Sequence, residues 1–157
     1  MHPTERLVSY RIAPALPADI SRLQELETDS FTSDRLSRRQ MLYHLKNPHA
    51  VFLTVGEDNG NHPVLGYALI LRAKNRPARL YSIAVAKESR GLGLGKILCR
   101  AGLDVLRDAG EKKLLLEVDA NDRATIGFYE RLGFETTGIL PAYYEDGRDA
   151  LKMQVLL

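Results

Sequence analysis

The chain has 157 residues and only one cysteine, Cys99. A disulfide framework is thereby excluded, and so is a cysteine-rich zinc site. A reducing, cytoplasmic setting is the expectation. Met1-His2-Pro3-Thr4-Glu5-Arg6 carries no apolar core of an export signal, so none is expected. The stretch Gly60 to Leu71, free of Asp, Glu, Lys and Arg, contains Asn, His and Pro and falls far short of a membrane span. The four histidines, His2, His44, His49 and His62, form no His-Glu-x-x-His pattern, and no metal is expected. Internal repeats, low-complexity runs and linkers are missing as well. The formal charge is only +2, which marks no nucleic-acid binder. With 45% hydrophobic and 27% charged residues, disorder and fibrous repeats are excluded. One domain over residues 1–157 is expected.

The hydrophobic pattern predicts a first strand over Leu7–Ala13, ended by Pro14 and Pro17. Pro17-Ala18-Asp19 opens a helix whose Ile20, Leu23 and Leu26 repeat at helical spacing. A second helix, Leu36–Lys46, carries Met41, Leu42 and Leu45 and stops at Asn47-Pro48. Ala50–Gly56 and Val64–Arg72 read as a hairpin around the Asn59-Gly60 turn. Leu80–Val85 is a fourth strand. A helix over Gly95–Ala109 follows, with Ile97, Leu98, Ala101, Val105 and Leu106 on one face. Lys113–Val118 is a buried strand, Asp122–Leu132 a helix, and Phe134–Leu140 and Ala150–Leu156 the last strands. The order β-α-α-β-β-β-α-β-α-β-β predicts a mixed α/β fold around one sheet.

Arg90-Gly91-Leu92-Gly93-Leu94-Gly95-Lys96 lies between a strand and a helix. Glycines let backbone N–H groups approach an anion, and a helix N-terminus adds partial positive charge. A phosphate ligand is one reading; a tight turn that binds nothing is the other. Lys96 breaks the dinucleotide fingerprint, and Ile97 after Gly95-Lys96 breaks the Walker A pattern.

The spacing Arg90-x-x-Gly93-x-Gly95 resembles the pyrophosphate loop of the GNAT acetyltransferases. Further likeness runs through Ser82-Ile83-Ala84-Val85, Leu116-Glu117-Val118, Phe128 to Phe134, and Tyr143-Tyr144 with Asp149 to Met153. Within the family the chain is most similar to the RimI-type enzymes, which acetylate the N-terminus of a ribosomal protein. The resemblance implies the GNAT fold, a mostly antiparallel sheet of about seven strands flanked by about four helices. It also implies acetyl-CoA as cosubstrate. The coenzyme would be held by Ile83, Ala84 and Val85, by the loop residues Arg90, Gly91, Leu92, Gly93, Leu94, Gly95 and Lys96, and by Tyr129. The family's usual Asn contact falls on Asp122, so either the neighbouring Asn121 makes that contact or it is lost.

Acetyl transfer to an amine requires a neutral amine, support for the thioester oxygen, and a proton for the leaving thiolate. The resemblance assigns the general base to Glu117 and the acid to Tyr129. Glu117 interrupts an apolar strand, where a carboxylate is costly unless paired or functional; a salt-bridge partner is the alternative. Cys99 has no histidine partner in the pattern, so direct transfer in a ternary complex is expected. Tyr143 and Tyr144 would border the acceptor groove, with Phe31, Asp34, Arg35 and Leu36, placed on a helix, beside them.

A protein α-amine has a pKa of about 7.7–8.0, a lysine about 10.4. A modest carboxylate therefore suits an N-terminus better than a lysine. The acceptor is expected to be a peptide or protein N-terminus; a small amine (polyamine, amino acid or antibiotic) and a non-catalytic CoA-binding module stay open. A monomer or homodimer without nucleic acid or membrane is expected. Charge also partitions: Arg72 to Arg100 carries a net +7 around the glycine loop, and Ala101 to Leu157 a net −4 around Glu117. That suits an anionic donor and a cationic acceptor.

Overall fold

The computed structural model describes residues 9–59 and 63–157. Leu7 and Val8 of the expected first strand, and Gly60 and Asn61 of the expected turn, lie outside them. Seven strands form one sheet: β1 Tyr10–Pro14, β2 Ala50–Glu57, β3 Gly66–Ala73, β4 Arg76–Val85, β5 Lys113–Asp119, β6 Glu135–Leu140 and β7 Ala150–Leu156. Their order across the sheet is β1-β2-β3-β4-β5-β7-β6. Every neighbouring pair is antiparallel except β4 and β5. The helices are α1 Ile20–Ser30, α2 Arg38–Lys46, α3 Leu94–Asp108 and α4 Arg123–Arg131. The expected element order and sheet stand.

Each face of the sheet has its own core. On one side, α3 buries Leu94, Leu98, Leu103 and Leu106 against Val55, Ile70, Leu80 and Leu116, with Tyr129 and Phe134 alongside. Each such leucine contributes roughly 1.5–3 kcal/mol by leaving water. On the other side, α1 and α2 bury Ile20, Leu23, Leu26 and Met41 against Phe52, Tyr67, Leu69 and Ala84.

Two differences from the expected elements bear on the site. Phe31, Asp34, Arg35 and Leu36 are not helical; they connect α1 to α2. Asp34 adopts φ 53°, outside the helical region. Ser37 and Gln40 form a capping box that starts α2 at Arg38. Strand β4 begins four residues earlier than expected, at Arg76, because the two-residue turn Lys74-Asn75 pairs Ala73 with Arg76. Pro77 and two arginines hid this segment from an apolar pattern.

Beneath α1 lies a buried polar cluster that the hydrophobic pattern did not reveal. Tyr67 Oη donates to Glu27 Oε2 at 2.8 Å, and Ser82 Oγ donates to Glu27 Oε1 at 3.1 Å. Glu27 is 3% exposed. Burial pushes its carboxyl above the ordinary 4.5, against the opposing pull of the Tyr67 and Ser82 hydrogen bonds. The protonated carboxyl therefore contributes stability that is fully present below about 4.5 and is lost as pH rises through the folded-state value. Stability of the wild type relative to Glu27→Gln is expected to fall as pH rises above about 4.5, read by urea unfolding between pH 4.5 and 8. Parallel curves would refute the titration of Glu27.

Candidate active site

The parallel ladder between β4 and β5 contains only Ala78↔Leu114 and Arg79↔Leu115. Beyond it the strands part. The cause lies in β4, where register shifts between Leu69 and Ile70 on β3, so that Tyr81 is the extra residue of a bulge between Leu80 and Ser82. Past the bulge, Ser82 and Ala84 face the α1–α2 side, and Ile83 and Val85 pack toward the α3 side.

The edge of β4 that borders the split carries open backbone groups. Ala86 N–H bonds Leu65 O on the β3 side at 2.7 Å. Successive residues of a strand alternate their N–H direction. Ala84 N–H thus points to β3, and the N–H groups of Ile83 and Val85 point into the split. Those two are suited to an acyl oxygen; Ala84 supplies a small, buried side chain.

The glycine loop closes one end of the split. Gly91 (φ 84°) and Gly93 (φ 80°) are left-handed, and a Cβ at either would meet no atom within 4 Å. Their need for glycine is conformational, and the space above the loop is open. Gly93 is the N-cap of α3 without a side-chain cap. The first-turn N–H groups of Leu94, Gly95 and Lys96 have no intrahelical partner and suit a phosphate. The exposed Arg90 reaches along the surface: its Nε donates to Val85 O at 3.3 Å and its Nη2 to Ser30 Oγ at 3.5 Å. It ties the loop to β4 and α1. Leu92 is exposed beside the loop.

The helix α4 rests directly on this loop, since a Cβ at Gly95 would lie 3.3 Å from Phe128 Cζ. Next to Phe128, Tyr129 is 5% exposed, with its ring 5.5 Å from that of Phe134. Its hydroxyl has no hydrogen bond to another described residue. Burial foremost, then nearby Cys99, Tyr144 and Asp122, push its pKa above 10, so it stays a hydrogen-bond donor. Cys99 is buried, and burial pushes its thiol up to about 12, which leaves it a poor nucleophile. Asp122 caps α4: Oδ1 accepts from Thr125 N at 3.1 Å and Oδ2 from Thr125 Oγ1 at 2.7 Å. Both Asp122 oxygens are thus engaged, while the exposed Asn121 side chain makes no hydrogen bond to another described residue.

Glu117 lies on β5 two residues beyond the last β4–β5 rung, on the face opposite Leu116 and Val118. Tyr129 packs with the core on the α3 face. The two candidate acid–base groups thus approach the split from opposite faces of the sheet. The Glu117 side chain is 16% exposed, and its Oε2 accepts from Arg79 Nε at 2.7 Å. The salt-bridge reading of Glu117 is therefore realised, and Oε1 has no partner among the described residues. Arg79 Nη2 donates to Tyr143 Oη at 2.7 Å. Tyr144 lies within electrostatic reach of both Tyr129 and Glu117, and burial, with Tyr143 and Asp119 nearby, pushes its pKa up to about 12.

The segment between β6 and β7 is latched over this face. Arg148 donates to Asp119 at 2.5 Å, to Asp146 at 2.6 Å and to Ser33 at 3.2 Å, and stacks 4.8 Å from the Tyr144 ring centre. The Asn121 backbone N–H, then Arg148, hold the Asp119 carboxyl below its usual value. Ser33, in the connection between α1 and α2, is thus joined to Tyr144 through Arg148. Arg79 and Arg148 escaped notice in the sequence because their partners are 38 and 29 positions away. Among the described residues, no helix is long and apolar enough to cross a membrane.

Comparison with known proteins agrees with this geometry. The family model described as "Acetyltransferase (GNAT) family" matches residues 20–134. A putative ribosomal protein bS18-alanine N-acetyltransferase of Bacillus subtilis is 32% identical over 142 residues, 88% of this chain and 90% of that protein. N-alpha-acetyltransferase 30 of Schizosaccharomyces pombe is 40% identical over 70 residues, 45% of this chain and 47% of that protein. Among solved structures, the ribosomal-protein-S18-alanine N-acetyltransferase of Escherichia coli superimposes with a TM-score of 0.81 at 26% identity, covering 94% of both chains.

Proposed function

Because the chain belongs to the acetyltransferase (GNAT) family, we propose that this N-acetyltransferase acts on a protein N-terminal α-amine, with acetyl-CoA as donor and direct transfer in a ternary complex. The observation that carries the reading is the split between β4 and β5, which has a loop with left-handed Gly91 and Gly93 at one end and Glu117 and Tyr129 on opposite faces. The residues fit the donor. Gly91, Gly93 and the first turn of α3 would hold its pyrophosphate, Asn121 would add a side-chain contact, and Ile83 and Val85 N–H would support the acyl oxygen. Acetyl-CoA supplies the activated acetyl group and a good leaving thiolate.

The chain's own groups supply the rest. Glu117 accepts the proton of the acceptor amine through water. Tyr129 donates a hydrogen bond, and finally a proton, to the departing sulfur. Cys99 takes no part, being buried and protonated. Tyr143 and Tyr144 border the acceptor. The B. subtilis and E. coli relatives, named for alanine at a ribosomal-protein terminus, support a peptide acceptor. A small amine is the second reading.

Mass spectrometry after incubation with acetyl-CoA and a peptide library, beside polyamines and amino acids, tests the proposal. Acetylation is expected at peptide α-amines, with side-chain lysines at pH 7 modified at least about 100-fold more slowly, given their smaller neutral fraction. Exclusive modification of small amines would refute it.

A further inference from the structure

Arg79 has no role in the acid–base chemistry above. Resting on the reading of Glu117 as base, we infer that Arg79 is a positioning residue that holds Glu117 and the acceptor-side Tyr143 in one arrangement. Arg79 occupies the last rung of the β4–β5 ladder, opposite Leu115, where the strands part. From there its planar guanidinium is fixed by three groups. Nε donates to Glu117 Oε2 at 2.7 Å, Nη2 donates to Tyr143 Oη at 2.7 Å, and its carbon lies 5.4 Å from the centre of the Tyr81 ring.

These partners belong to β5, to the segment between β6 and β7, and to the bulge of β4. The Nε arm anchors Oε2 of Glu117 and the Nη2 arm holds Tyr143, leaving Oε1 for water or the amine. Lysine provides a point charge and no fork, so it cannot serve both acceptors in one plane. The two other cations near Glu117 do not take the place of Arg79. Arg148 is bonded to Asp119 and Asp146, and the exposed Lys152, opposite Glu117 on β7, makes no ion pair with it. Tyr143 is 40% exposed, so an arriving acceptor meets the same hydrogen-bonded unit that orients the base. A misplacement of about 1 Å in such a group costs on the order of 100-fold in rate.

The test is a double-mutant cycle in the full-length protein, with acetyl-CoA and an acceptor peptide taken from the library. Arg79→Met is expected to lower kcat/KM for the peptide by about 10- to 100-fold. Acetyl-CoA affinity, read by calorimetry, should stay within about twofold, because Arg79 touches neither the loop nor α4. Arg79→Lys should recover only a minor part of the loss. In a Glu117→Gln background, Arg79→Met should cost less than about threefold more, since its effect acts through that carboxylate. An equal loss in both backgrounds, a parallel loss of acetyl-CoA affinity, or wild-type rates in Arg79→Met would overturn the inference while the base assignment survived. Wild-type turnover in Glu117→Gln would overturn the base assignment and the inference together. If Arg79→Met does not fold, Arg79→Gln replaces it in the same cycle.

Discussion

Tyr129→Phe is expected to lower turnover by about 100- to 1,000-fold, within the range of general-acid contributions, while acetyl-CoA affinity changes less than about twofold. The substitution is unusually clean here. The Tyr129 ring is buried against Phe134 and Phe128 and remains in place as phenylalanine. The hydroxyl makes no hydrogen bond to another described residue, so its removal orphans no partner. Thermal stability should be unchanged or slightly higher, and any loss of activity then reports on the hydroxyl alone. Because burial holds the phenol protonated well above neutral pH, the wild-type rate should show no loss from phenol ionisation up to pH 9. Steady-state kinetics and calorimetry on the same preparation decide it; unchanged turnover removes Tyr129 from the chemistry.

Glu117→Gln is the second large effect, about 100-fold or more in turnover at pH 7. An amide keeps the shape and can still accept from Arg79 Nε, but it takes no proton. The loss should depend on the acceptor. At pH 7 roughly a tenth of a protein α-amine is neutral, and above about pH 8 most of it is. As pH rises through 8 the amine needs less help, and the deficit should narrow several-fold by pH 9. A deficit independent of pH would assign Glu117 a purely structural place in the ion pair with Arg79.

The glycine loop was legible because its signal is local. Arg90 to Lys96 carries its spacing in seven consecutive residues, and left-handed Gly91 and Gly93 state a backbone need directly. Tyr129 and Glu117 were legible through the resemblance and through an out-of-place carboxylate in an apolar strand. Asp122 was legible as the start of a helix, and the structure makes it the N-cap. The hidden features are all contacts between distant positions. Glu27 reads in the sequence as one more acid on a surface helix, yet it meets Tyr67 40 positions away. Arg79 reads as solvated charge near a proline.

Composition and periodicity were enough to establish the class of fold, the order of its elements and the place of the glycine-rich turn. Those properties follow from side-chain spacing along one strand or helix and from the φ values that only glycine adopts cheaply. The split itself was decided by tertiary structure. It requires the bulge at Tyr81, the parallel pairing that ends at Arg79, and three side chains from separate elements that meet at one guanidinium. No local pattern encodes such a meeting, because its free energy depends on sheet register and packing across the whole chain.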